Sequence, residues 1–113
     1  MKNQLTTRDA SKMQEEAVAK ALGGRRTANS GATAFSKGDV VSSVFIIECK
    51  TKMKESNSIT VQKDWFDKLE EERIGMGKRM AAIAISFGDG KNHYIISEKH
   101  MKILVELLYS ELQ

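Results

Sequence analysis

The chain has no proline and a single cysteine in 113 residues, and no apolar run approaches the roughly 18 residues that a membrane-spanning helix requires. Cys49 alone makes no internal disulfide and no thiolate cluster, so a disulfide scaffold and a cysteine-based zinc finger are both excluded. The opening stretch MKNQLTTRDASK lacks the apolar core of a secretory signal, so a cytoplasmic protein with no membrane partner is expected. Without proline, glycine is left to punctuate the chain. What is present is ordinary globular chemistry: 41% hydrophobic and 29% charged residues, which argues against a disordered tail. The length fits one domain over residues 1–113, with residues 1–8 as a flexible N-terminal tail.

Net charge is only +3, but it is unevenly spread. Residues 1–37 carry seven Lys/Arg against three acids, a balance of +4, and the remaining 11 bases and 12 acids nearly cancel. A basic N-terminal third is what a phosphate-binding surface would look like, although a shift of this size also arises without function.

Periodicity gives the elements in order. Met13, Ala17, Val18, Ala21 and Leu22 recur at three- and four-residue steps, predicting a helix over 9–22 that opens with a Ser11-x-x-Gln14 capping box and closes at Gly23 and Gly24. RRTANS reads as a short strand and SGATAFSKG as a loop. GDVV and VFIIECKTK are β-branched runs close enough in sequence to form only a hairpin. Val61, Trp65, Phe66, Leu69 and Ile74 predict a second helix over 60–75. RMAAIAISF then reads as a buried strand, GDGKN as a turn and HYIIS as a further strand. Ser97 caps a last helix whose Ile103, Leu104, Leu107 and Leu108 share an apolar face. The order αβββαββα defines an α/β fold.

Within the strand VFIIECK, alternation puts Glu48 and Lys50 on one face and Ile47, Cys49 and Thr51 on the other. The hairpin brings Asp39, at the start of the preceding strand, alongside Glu48. Two carboxylates confined together repel and each loses hydration, at a cost of several kcal/mol. A divalent cation removes that repulsion, and magnesium, which takes oxygen ligands and keeps several waters, suits two carboxylates beside a phosphate. Lys50 can hold the attacking water or the charge that develops on phosphorus. The alternative is a surface ion pair on an edge strand. Against it, Phe45, Ile46 and Ile47 are apolar on both faces, as in a strand covered on both sides.

Asp39, Glu48 and Lys50, taken with E15-EAVAKA-L22-GG-RR-TAN-S30-G31-A, K37-G38-D39-V40 and I47-E48-C49-K50-T51, resemble the PD-(D/E)xK nuclease superfamily in the form of the archaeal and phage Holliday junction resolvases. The likeness runs from about residue 11 to 87. Gly38 stands where the superfamily name has proline. Counting back from Leu22 selects Glu15 over Glu16 as the helix glutamate and puts Glu15 on the face of Val18 and Leu22 that packs on the sheet. The resemblance implies a restriction-endonuclease-like core, a central mixed β-sheet flanked by helices. It further implies that Glu15, Asp39 and Glu48 hold magnesium, which manganese can replace, while Lys50 assists the water. Ser30 would act near the scissile phosphate, and Arg25, Arg26, Ser30, Gly31 and Lys37 would contact DNA. No organic cofactor is implied.

The activity so implied is structure-selective endonucleolytic cleavage of branched DNA, above all paired nicking of four-way junctions, in a bacterial, archaeal or phage-infected cell. One site cuts one strand and a junction needs two symmetric cuts, so a homodimer is expected, with the last helix and the exposed side of the sheet as candidate surfaces. The rivals are a nuclease of the same type for flaps, single strands or duplex, and a non-catalytic nucleic-acid-binding module. His93 and His100 read as surface or packing residues, and Met76 and Met80 as core filler.

Overall fold

The computed structural model describes residues 6–27 and 38–113. Three helices and five strands follow one another as α1 (Thr7–Leu22), β1 (Arg25–Arg26), β2 (Val40–Val41), β3 (Phe45–Thr51), α2 (Lys63–Gly75), β4 (Met80–Ser86), β5 (His93–Ile95) and α3 (Glu98–Glu111). This is an α/β fold in the expected order. The strands form one mixed sheet in the order β1-β2-β3-β4-β5: β3 and β4 run parallel, joined through α2, and every other neighbouring pair is antiparallel.

α1 begins earlier than the periodicity suggests. Thr6 is its N-cap: the Thr6 side chain accepts from the Asp9 amide while the Asp9 carboxylate accepts from the Thr6 amide. Ser11 therefore lies inside the helix, and Thr6 to Arg8 belong to its cap and first turn instead of to a tail; residues 1–5 lie outside the described residues. The helix ends where Gly23 takes a left-handed backbone, φ 71°.

β3 is central and its two faces are both covered. Ile46 packs with Val41, Leu69, Ala81, Ile83 and Ile85 beneath α2, whereas Ile47 packs with Val18, Val40 and Ala84 beneath α1. Each fully buried Ile or Val here contributes about 1.5–3 kcal/mol through removal of apolar surface from water. Alanines at 82 and 84 leave the α1 face of β4 shallow, which lets α1 come close enough for a polar side chain to reach the sheet backbone. Gln14 does so: its Nε2 lies 3.0 Å from the Lys50 carbonyl, 3.2 Å from that of Ala84 and 3.0 Å from the Asn92 amide oxygen.

Several apolar residues assigned to the core by periodicity are outside it. Leu22 is exposed, because only the two-residue edge strand lies beneath the last turn of α1. α2 starts at Lys63, so Val61 precedes it and is exposed, and Ile74 in its last turn faces solvent. Trp65 and Phe66 do pack on the core, as expected of this helix, and so does Met76 just beyond its end, as expected of core filler.

Gly38 has φ 74°, and a Cβ there would stand 2.5 Å from Ile46 Cγ1, whereas Gly90, at φ 81°, has nothing within 4 Å. Gly38→Ala is expected to lower unfolding free energy by about 2–3 kcal/mol and Gly90→Ala by about 1 kcal/mol, because only the first adds a core clash to the backbone penalty. Urea denaturation of the two variants checks the difference.

Candidate functional site

The site is built where β2 stops and β3 continues. β2 pairs with β3 at Val40↔Ile47 and Val41↔Ile46, and the Asp39 amide adds one more bond to the Ile47 carbonyl at 2.9 Å. Beyond that point, the Asp39 carboxylate takes over as the ladder acceptor: the Cys49 amide donates to its Oδ2 at 2.8 Å. A carboxylate fixed by a backbone N–H is thus set in the gap at the strand edge, between residues 48 and 50 of β3. The segment is clamped from the other side as well, since the Thr27 amide donates to the Asp39 carbonyl at 3.1 Å and the Thr27 hydroxyl to the Gly38 carbonyl at 2.9 Å.

Glu48 and Lys50 share the α2 face of β3, as alternation requires. Lys50 Nζ is 3.7 Å from Glu48 Oε2 and 4.7 Å from the centroid of the Trp65 ring. With Asp64, Lys68, Leu69 and Glu72 these residues line a cavity of about 160 Å³. Burial raises the Glu48 carboxyl to about 7; the charges of Asp39 and, to a smaller degree, Glu72 push the same way, and Lys50 opposes them. Glu48 therefore titrates near neutrality.

Glu15 approaches from α1, on the other face of the sheet. It is half-buried on α1, next to the buried Gln14 and three residues before the buried Val18. Its Oε1 accepts from Arg26 Nε at 3.1 Å, joining α1 to the edge strand β1. Burial and then the charge of Asp39 raise its pKa, and the Arg26 bond opposes them. Glu16 is exposed. Asp39 thus bears electrostatically on both glutamates, one on each face of the sheet. Cys49, packed among the residues under α1, has its thiol pushed up by burial and by the charges of Asp39, Glu15 and Glu48, which makes it a poor nucleophile.

Of the remaining candidates, Arg25 and Arg26 are exposed on β1. Ser30, Gly31 and Lys37 lie outside the described residues. Among the described residues, no three His, Cys, Asp or Glu side chains are gathered as a metal-ligand group. Each acid is turned to a different partner: Glu15 to Arg26, Asp39 to the Cys49 amide and Glu48 to Lys50. The donor chemistry still suits a hard cation, because the charge of Asp39 raises the proton affinity of the partly buried Glu15 and Glu48, and a cation would relieve that repulsion.

Sequence reasoning missed the α2 side of this cavity. Asp64, Lys68 and Glu72 fall at i, i+4 and i+8, one stripe of a helix beside Trp65 and Leu69, and that spacing was the available signal. It also missed Gln14, which a helical count of four back from Val18 would have found. A larger cavity, of about 250 Å³, lies under α3, bordered by His100, Glu70 and Lys99, but it has no comparable concentration of acids.

Compared with known proteins, the chain matches no protein-family model, and no curated protein or solved structure is significantly similar to it.

The raised Glu48 pKa fixes the sign of a pH effect. The folded state holds a proton that the unfolded state releases near 4.5, so stability falls as pH rises from about 4.5 to about 7. In chelator, Glu48→Gln is expected to flatten that slope and to stabilise the protein by about 1–3 kcal/mol at pH 8. Thermal unfolding across pH 4.5 to 8 reads both; an unchanged slope would contradict the assignment.

Proposed function

We propose that the chain is a divalent-metal-dependent DNA endonuclease of the PD-(D/E)xK type that resolves four-way junctions, with the restriction-endonuclease-like core that such enzymes share. The observation that carries this reading is the Asp39 carboxylate held by the Cys49 amide at the open edge of β3, immediately beside Glu48 and Lys50. An ordinary surface ion pair needs no second carboxylate built into the strand backbone beside it. The αβββαββα order and the edge position of the acids both agree with the superfamily resemblance.

Asp39 and Glu48 would hold the cation, with Glu15 as a third carboxylate drawn from Arg26. Magnesium, when bound, lowers the cost of charge on the phosphate and on the attacking water. The chain's own contributions are then distinct. Lys50 places a full positive charge against the phosphate oxygens, where it is most useful as negative charge develops. The Trp65 ring under the Lys50 ammonium restricts where that charge can move. Glu48, whose carboxyl is raised to about 7 without metal, would give up its proton to bind the cation, so cation binding should strengthen as pH rises through neutrality. Arg25 and Arg26, exposed on the edge strand, supply backbone contacts that carry no sequence information. Binding should therefore weaken steeply with salt.

The test is cleavage of labelled four-way junction, flap, single strand and linear duplex with magnesium. Symmetric nicks on the junction are expected, with Asp39→Asn, Glu48→Gln and Lys50→Met each reducing the rate by at least about 100-fold. Cleavage confined to another substrate would keep the chemistry and replace the junction. Salt-dependent binding with no cleavage of any substrate would mark a non-catalytic module.

A further inference from the structure

A separate cavity opens on the α1 face of the sheet, opposite Lys50, where β3 and β4 end. It holds about 230 Å³ and is bordered by Met13 and Gln14 of α1, Lys52 and Met53 just beyond β3, Ser86 at the end of β4 and Asn92 before β5. β3 and β4 are the parallel pair, and ligands of open α/β sheets sit outside the carboxyl ends of such strands.

Two of its polar side chains are more than nine-tenths buried and still have bonding capacity. Gln14, 7% exposed, turns Nε2 to three oxygens, the Lys50 carbonyl, the Ala84 carbonyl and Asn92 Oδ1, which fixes the orientation of its amide. No donor among the described residues reaches the Gln14 Oε1, and that atom is not sealed from solvent, so it is left for whatever enters the cavity. Ser86, 4% exposed, accepts from the Gly88 amide at 3.2 Å and donates to no acceptor among the described residues. Asn92 gives its Oδ1 to Gln14 and leaves Nδ2 as a donor. The cavity thus presents an acceptor beside donors.

A nucleobase edge carries donors and acceptors in adjoining positions, the complement of such a set. Its flat faces also find partners here, because Met13 and Met53 are exposed at the cavity and thioether sulfur packs well on aromatic rings. Lys52 is the one charged group on the lining among the described residues, so a ligand bearing phosphate is favoured over a cationic one. The volume is below the about 300–1,000 Å³ of pockets for drug-sized ligands, as suits a single heterocycle. A base stacked and paired in a duplex cannot present its edge to a cavity, so the base must be unpaired.

We propose that this cavity takes up one unpaired nucleobase of a DNA strand, bonded by Gln14 and Asn92 and flanked by Met13 and Met53. The cavity borders the residues that follow Lys50 in β3, so a strand held at Lys50 has it close by. That placement beside a cleavage site rests on the nuclease reading; the recognition of the base does not.

Binding of short single-stranded oligonucleotides by the full chain, beside an abasic strand with the same number of phosphates, tests it in chelator, where no cleavage enters. The wild type is expected to bind a base-bearing strand at least about 10-fold more tightly than the abasic one. Only the base-bearing strand should shift the side-chain amide signals of Gln14 and Asn92 in heteronuclear NMR spectra. Asn92→Asp keeps the oxygen that accepts from Gln14 and removes Nδ2, and Met13→Ala removes a thioether at an exposed position. Each should fold as the wild type does and cut the preference to about 3-fold or less, a ratio in which the effect of the added charge on phosphate binding cancels. Equal affinity for the two strands, amide signals that do not move, a preference unchanged in both variants, or deoxynucleoside monophosphates binding as tightly as the strand would each overturn the proposal. Base-dependent binding in a protein that cleaves nothing would defeat the nuclease reading and leave this one standing, and cleavage without the base preference would do the reverse.

Discussion

The structure depends on one hydrogen bond at the edge of the sheet, from the Cys49 amide to the Asp39 carboxylate. β2 is only two residues long, yet β3 continues to Thr51, so the edge of β3 beyond Ile47 needs other acceptors for its amides. Supplying one from a carboxylate satisfies the backbone and at the same time fixes a negative charge where the strand is open. That charge adds to burial in raising the carboxyls of both Glu15 and Glu48. They stand on opposite faces of the sheet, and the charge that bears on both is the one in the plane between them.

Packing elsewhere holds that arrangement in place. The shallow alanine face of β4 brings α1 down until Gln14 reaches the Lys50 and Ala84 carbonyls, tying the helix that carries Glu15 to the strand that carries Lys50. Gly38 provides the left-handed turn that delivers Asp39 to the strand edge beside Ile46. On the other face, Leu69 and Trp65 fix α2 so that its Lys68 and Glu72 look onto Glu48. A buried Gln, a constrained Gly and a Trp under a lysine are each costly to replace, and each supports the same few side chains.

Much of this was legible in the residues. Periodicity and glycine punctuation gave all eight elements in order, and strand alternation put Glu48 and Lys50 on one face because a two-residue period leaves little freedom. The misses have local causes. Thr6 outcompeted Ser11 as a cap because both partners of the Thr6–Asp9 box bond, which residue type alone does not decide. Leu22, Val61 and Ile74 have the right hydrophobicity and helical phase but lie at the ends of elements, where nothing is available to cover them. The residue pattern assigns Gln14 to a capping box with Ser11, and only the tertiary contacts with the Lys50 and Ala84 carbonyls reveal its role. The apolar face of α3 was evident, but that it stays open is a tertiary fact.

The central claim, that Asp39, Glu48 and Glu15 form a cation-binding edge with Lys50 beside it, is tested most directly by titrating manganese into the protein without DNA and following free manganese by electron paramagnetic resonance. At least one ion bound per chain, with affinity rising from pH 6 to pH 8 as Glu48 loses its proton and falling at least about 10-fold in Asp39→Asn, is the predicted result. Manganese that stays free, or binding that is the same in Asp39→Asn, would contradict the account.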